Sequence, residues 1–242
     1  MGKFSDTYRI RVADLSFSGR LKESALFAML QEVACEHADT LHVGMDDLSP
    51  KNLGWALSKI DLTIFSLPEK RSRIVLETWP SGRSKAFCER DFRASDQNGN
   101  VLFEARSIWI LFDLNKRRME RTSVLHDWEI VPERVAGDCA EKLLPPAVAQ
   151  FSKHVVLRRD DIDVNGHLNN CVYPALAIDS LPESFYAKKM PRRIRISFLA
   201  EMKESDNAVS NSQIIGETSL HGICDAETNR EFARINIDWR NI

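Results

Sequence analysis

Residues 11–24 and 158–171 are two versions of one segment. Laying RVADLSFSGRLKES over RRDDIDVNGHLNNC pairs Arg11 with Arg158, Asp14 with Asp161, Leu15 with Ile162, Gly19 with Gly166 and Leu21 with Leu168, at a constant shift (166 − 19 = 147). Further along, KIDLTIFSLPEK (59–70) lies over RIRISFLAEMKE (193–204). VLFEARSIWILF and NREFARINIDWR then share Phe-Glu-Ala-Arg or Glu-Phe-Ala-Arg, followed by alternating apolar residues. Three weak matches in the same order indicate a duplicated domain, so each copy must bury its own core in the same way.

Each copy has one grammar: a short strand, a glycine turn, a helical stretch, then long strands. In the first copy LKESALFAMLQEVACEHADTLH places Leu26, Met29, Leu30, Val33 and Ala34 on one face at helical spacing. In the second the helix is expected through CVYPALAIDSLPESF, with Pro174 near its first turn. ALSKIDLTIFS, RIVLETWPS, KAFCERDFRAS and VLFEARSIWILFDL read as strands, with IRISFLAEM and FARINIDWR as counterparts, and DQNGN (96–100) is a hairpin signal. One helix followed by antiparallel strands predicts an α+β domain in which a sheet covers the helix. The stretch 129–150 carries three prolines and no sustained period, so it is expected to link domains at 1–128 and 151–242.

A formal net charge of −2 argues against a nucleic-acid partner, which calls for a basic surface. Five cysteines, odd in number, widely spaced and without a C-x-x-C pair, argue against a disulfide framework or zinc site. No apolar run suits a signal peptide or a membrane span, and a cytoplasmic protein is expected. Asp161-Ile162-Asp163-Val164-Asn165-Gly166 opens like a calcium loop, but loop position 12 is Val172, where a bidentate Glu is needed. Neither metal nor cofactor is therefore expected.

The copies differ where chemistry would sit. Asp163, Asn165 and His167 stand opposite Ser16, Ser18 and Arg20, while the glycine, the arginine and the apolar positions persist. Asp and Asn often serve only to make side-chain-to-backbone turn bonds, but that need would be shared by both copies. Three alternating residues in an extended segment would face one side, beside a helix start whose N–H groups, near Gly166 and His167, favour developing negative charge. An imidazole beside an oxyanion site is the expected arrangement.

RRDDIDVNGHLNNCVY resembles the D-x-N-x-H-x-N-N-x-x-Y signature of the acyl-acyl carrier protein thioesterases, whose chains carry two tandem hot-dog domains. NLGWALSKIDLTI, VLETWPSG, RDFRASD, ARSIWILFDLNKRRMER and FARINIDWR extend the resemblance over most of the chain. It implies an α+β fold of two hot-dog domains, each a long helix wrapped by an antiparallel sheet. It also implies hydrolysis of the thioester between a fatty acyl chain and acyl carrier protein. The family's catalytic Asp, Asn, His and Glu fall on Asp163, Asn165, His167 and Glu201, and the first copy has Leu67 opposite Glu201 (201 − 134 = 67). Family members often carry Cys after that Glu; here Met202 cannot attack a thioester, which points to water, with Glu201 as general base or, alternatively, as nucleophile.

An acidic carrier partner calls for a basic docking surface, for which Lys188, Lys189, Arg192 and Arg193, with Arg195, Arg158 and Arg159, are candidates beside the presumed site. The family's chain-length pocket lies largely in the first repeat, making that copy an acyl-binding module with Trp55 and the Met29-Leu30-Val33 face as candidate lining. An acyl-CoA thioesterase of the same fold and a non-catalytic acyl-binding module are the competing readings. Tandem repeats could pair within one chain, so a monomer or a homodimer is compatible with the sequence.

Overall fold

The computed structural model describes residues 2–242, which divide into two units with the boundary between Cys139 and Ala140. The boundary falls inside the 129–150 stretch. The first unit contains β1 (Phe4–Arg9), α1 (Glu23–Thr40), α2 (Met45–Leu48), β2 (Leu53–Ile64), β3 (Arg73–Arg83), β4 (Cys88–Asp96), β5 (Val101–Asp113) and β6 (Arg118–Met119). Its sheet is antiparallel in the order β1-β3-β4-β5-β2, with β6 on β5.

Helix α1 forms because its apolar residues recur at three- and four-residue spacing. Leu26, Met29, Leu30, Val33, Ala34 and His37 are all buried. Ile74, Leu76, Phe92, Ala94, Phe103 and Ala105 of the sheet are buried too, each large apolar side chain contributing about 1.5–3 kcal/mol. The β4–β5 hairpin closes as the sequence predicts: Asp96 Oδ1 accepts the Asn98 and Asn100 N–H groups, and Gly99 adopts φ +84°.

The second unit contains β7 (Phe151–His154), α3 (Tyr173–Ile178), α4 (Glu183–Tyr186), β8 (Lys189–Phe198), β9 (Ala208–Ile215), β10 (Thr218–Asp225) and β11 (Glu231–Asn241). Its order, β8-β11-β10-β9-β7, is that of the first unit with each strand replaced by its counterpart. The hot-dog arrangement implied by the resemblance is present in each unit. The expectation of a long helix in each needs correcting, because α3 has six residues where α1 has eighteen. Pro182 is the reason: it restricts Leu181 away from helical angles, and the chain restarts as the separate short helix α4.

So short a helix cannot anchor itself by an apolar stripe, and buried polar bonds take over part of that work. Trp239 Nε1 of β11 donates to Ser219 Oγ at 2.8 Å, and Ser219 Oγ lies 2.7 Å from His221 Nε2 on β10. With its proton on Nδ1, His221 donates on to the Ala177 carbonyl of α3. Ser180 Oγ donates to the same carbonyl at 2.6 Å. The chain of bonds thus links two strands to the helix through the core.

The 129–150 connector is strapped down along its length. Trp79 Nε1 donates to Glu133 O, Arg106 donates to Val135 O and Gly137 O, and Asp138 N donates to Asp61 Oδ2 in the first unit. In the second, Arg195 pairs with Glu141 at 2.7 Å and Arg234 donates to Leu143 O.

Burial pushes the His221 imidazole down to about 3, against about 6.5 in an unfolded chain. A depressed histidine leaves the unfolded state binding the extra proton. Its contribution is therefore fully present above about pH 6.5 and lost progressively as pH falls toward 3. Urea unfolding is expected to show stability falling by up to about 1.4 kcal/mol per pH unit across that window. His221→Gln is expected to be less stable at neutral pH and to lose this slope.

Candidate active site

The glycine turn is built the same way in both units. A short 3-10 turn (Val12–Asp14 and Arg159–Asp161) leads in, and an isolated β-bridge closes it, Leu15 to Leu21 and Ile162 to Leu168. Ser16 N donates to Arg20 O at 2.7 Å, as Asp163 N does to His167 O at 2.8 Å. Gly19 N donates to Ser16 O and Gly166 N to Asp163 O, with φ +79° and +78° at the two glycines. The main-chain bonds and glycines therefore hold the turn, whatever side chains it carries.

On that scaffold the second unit places a reactive set. The segment is a tight turn rather than an extended strand, so its three polar residues do not share one side by alternation. Asp163 stays within the turn: Oδ1 accepts the N–H groups of Asn165 (2.8 Å) and His167 (3.2 Å), and Oδ2 accepts from Asn165 Nδ2 (3.3 Å). His167 leads out of the turn and is half-buried. One residue on, Leu168 N donates to Met202 O at 2.7 Å, which fixes the segment after β8 against the turn. His167 Nε2 and Glu201 Oε2 are 3.3 Å apart as a result. Both belong to the second unit, and Leu67 and Arg20 at the equivalent positions of the first cannot form such a pair.

Two expectations about this site are corrected. The Gly166 and His167 N–H groups are already engaged by Asp163. They are therefore not the oxyanion donors that the sequence suggested. Nor do Lys188 and Lys189, of the basic run, stand beside the site. Lys188 and Lys189 lie at the start of the ten-residue strand β8, while Glu201 follows its end. A strand of that length spans about 30 Å. Within the run, Arg195 is held by Asp238 and Glu141, Lys189 approaches Glu217 at 3.8 Å, Arg193 is half-buried, and Lys188 and Arg192 are exposed.

Trp55 donates its indole N–H to Val43 O at 2.9 Å and packs on a satellite cluster of Val43, Leu48, Leu111 and Leu125. The Met29-Leu30-Val33 face is core. Cys171 is buried, its N–H accepted by Asn169 Oδ1 at 3.0 Å. Sequence reasoning gave Asn169 no part in the site. Its Asx-turn chemistry, directly before a helical pattern, was the available signal. Met202 is fully buried beside the pair.

Comparison with known proteins agrees with this architecture. The family description "Acyl-ACP thioesterase N-terminal domain" matches residues 2–127, and "Acyl-ACP thioesterase C-terminal domain" matches 146–241. The palmitoyl-acyl carrier protein thioesterase of Gossypium hirsutum is 22% identical, over 98% of this chain and 63% of its own length. The oleoyl-acyl carrier protein thioesterase 2 of Arabidopsis thaliana is 24% identical, over 84% and 60%. The chain thus spans about 60% of the length of these curated relatives. Among solved structures, an acyl-ACP thioesterase from Bacteroides thetaiotaomicron superposes with a TM-score of 0.88 at 22% identity, covering 98% of both chains. The 12:0-ACP thioesterase of Umbellularia californica gives 0.85 at 21%, covering 99% of this chain and 98% of its own. At such identities the likeness shows the fold.

A Cβ at Gly19 or Gly166 would meet nothing within 4 Å. The cost of a side chain there is therefore one of backbone conformation alone. Gly19→Ala and Gly166→Ala are each expected to cost about 1–2 kcal/mol in denaturant unfolding. Similar losses in the two variants would confirm that the turns are built alike.

Proposed function

This chain belongs to the acyl-ACP thioesterase family, and we propose that it hydrolyses the thioester between a fatty acyl chain and acyl carrier protein. The observation that carries this reading is the 3.3 Å approach of His167 Nε2 to Glu201 Oε2, in one unit, on a turn the other unit builds without reactive groups. An imidazole beside a carboxylate, both partly open to solvent, can activate a water molecule.

In this reading the Glu201 carboxylate takes a proton from water as its oxygen attacks the acyl carbonyl. A tetrahedral oxyanion forms and collapses, breaking the C–S bond and releasing the fatty acid. The leaving sulfur receives a proton, with His167 and Glu201 sharing the transfer. Thiols ionise near pH 8.5, so this last step asks little of the protein at neutral pH. Asn165, exposed at the turn, holds the water or the thioester carbonyl through its amide. Asp163 accepts the N–H groups of Asn165 and His167, and so orders these two residues within a turn that the main chain already holds. Met202 presents no nucleophile, and this reading takes water as the attacking group, with Glu201 as nucleophile the alternative.

The first unit, lacking all four groups, takes the acyl-binding role in this scheme. Its support there is the resemblance.

The reading is tested with acyl-carrier-protein thioesters of graded chain length, each matched by the corresponding acyl-CoA. Wild type is expected to release fatty acid and to favour the carrier-linked thioester. His167→Ala and Glu201→Gln are each expected to lower kcat by about 10²–10⁴-fold. Equal turnover of both thioesters would favour the acyl-CoA reading. Acyl binding without turnover would favour the binding module.

A further inference from the structure

The comparison between copies also runs the other way, to what the first unit has and the second lacks. Strand β1 pairs with β3, and Arg9 stands directly opposite Arg73. Two main-chain bonds tie the loop before β3 to the same place, Ile10 N to Ser72 O at 2.9 Å and Arg71 N to Ile10 O at 3.1 Å. Lys70 and Arg71 are thereby held beside the arginine pair, and all four cations are exposed. Among the described residues no carboxylate pairs with any of them, and Glu69, the one acid of this loop, is exposed too.

Like charges directly opposite across a strand pair repel, so the fold gains nothing from this arrangement. The second unit shows that the scaffold does not need it. Both repeat shifts carry through this place, since Val155 N donates to Ala208 O where Tyr8 pairs with Ile74 (155 − 147 = 8; 208 − 134 = 74). At the same shifts Val156 stands for Arg9, Glu204 for Lys70, Ser205 for Arg71 and Asn207 for Arg73. Four positive charges in one unit thus answer to a single negative charge in the other, on a chain whose net charge is −2. After β1 the first unit's turn adds two exposed apolar side chains, Val12 at 61% and Phe17 at 87%. Aromatic anchors beside a charged rim are what protein partners cover.

We infer that this end of the first unit is the docking surface for the acyl carrier protein, with Arg9, Lys70, Arg71 and Arg73 meeting its acidic groups. An acidic protein is the occupant whose charge complements the patch. The proposed function supplies one, and the inference rests on that reading of the substrate. The first unit then has a second task beside holding the acyl chain, and it takes the place that the sequence gave to Lys188 and Lys189.

The experiment titrates labelled acyl carrier protein into the full chain, wild type against the double variant Lys70→Glu with Arg73→Glu. Arg73→Glu sets an opposite charge across from Arg9, so strand pairing is favoured rather than put at risk. The same two reversals at Lys188 and Arg192, exposed in the second unit, control for net charge alone. The dissociation constant is expected to rise about tenfold or more for the first pair and less than about twofold for the control. With carrier-linked substrate KM is expected to follow while kcat holds, and wild-type KM to climb with salt more steeply than that of the variant. No binding by wild type, no weakening by the first pair, or equal weakening by both pairs would overturn the proposal. So would loss of binding to phosphatidylglycerol–phosphatidylcholine vesicles with carrier binding intact, which would make this edge a lipid contact. A wild type that turns over no thioester would overturn the hydrolase reading instead, and the titration would still decide the docking surface.

Discussion

One main-chain hydrogen bond, from Leu168 N to Met202 O, sets the geometry of the second unit's polar site. The two residues that matter chemically each precede one of its partners in sequence. With Leu168 bonded to Met202, His167 and Glu201 are brought side by side, and with them an imidazole and a carboxylate from segments 34 residues apart (201 − 167 = 34). A slip of one residue in that pairing would move the imidazole and the carboxylate out of register with each other. Burial of Leu168 and Met202 penalises such a slip, because it would bring neighbouring polar groups into the core. Packing and site geometry are thus one constraint.

The second unit meets that constraint with less helix than the first. Eighteen residues of α1 bury a continuous apolar face, whereas six residues of α3 cannot. The Trp239–Ser219–His221–Ala177 chain supplies directional bonds in place of apolar area. Such bonds are worth only about 1 kcal/mol each when satisfied, but leaving a buried partner unmet costs more than that. The arrangement therefore tolerates one geometry and resists drift.

Much of this was legible in the sequence. The copy-to-copy matches showed that one arrangement of helix and antiparallel strands is built twice, because a repeated pattern must repeat its packing. The glycines announced the turns, the residues that changed between copies marked His167, and the family resemblance marked Glu201; the structure brings the two within 3.3 Å. What could not be read were consequences of three-dimensional placement. Helical periodicity in CVYPALAIDSLPESF does not reveal that Pro182 divides it. The Gly166 and His167 N–H groups look available until the Asp163 carboxylate folds back on them. Lys188 and Lys189 sit close to Glu201 in sequence, yet an extended strand turns a handful of residues into a long distance. His221 gave no sign at all, since a lone histidine in a strand carries no signature of the partners that hold it neutral.

The twin turns have a wider consequence. Their form resides in peptide groups and a single left-handed glycine, and the side chains hang from that frame without being needed to shape it. Such a loop behaves as a socket, accepting different plugs at little cost to the rest of the molecule. After the gene doubled, one socket could be refitted while the other was left blank, and neither change put the folding of its host at risk. Divergence between tandem copies is easiest where architecture and cargo are separable in this way.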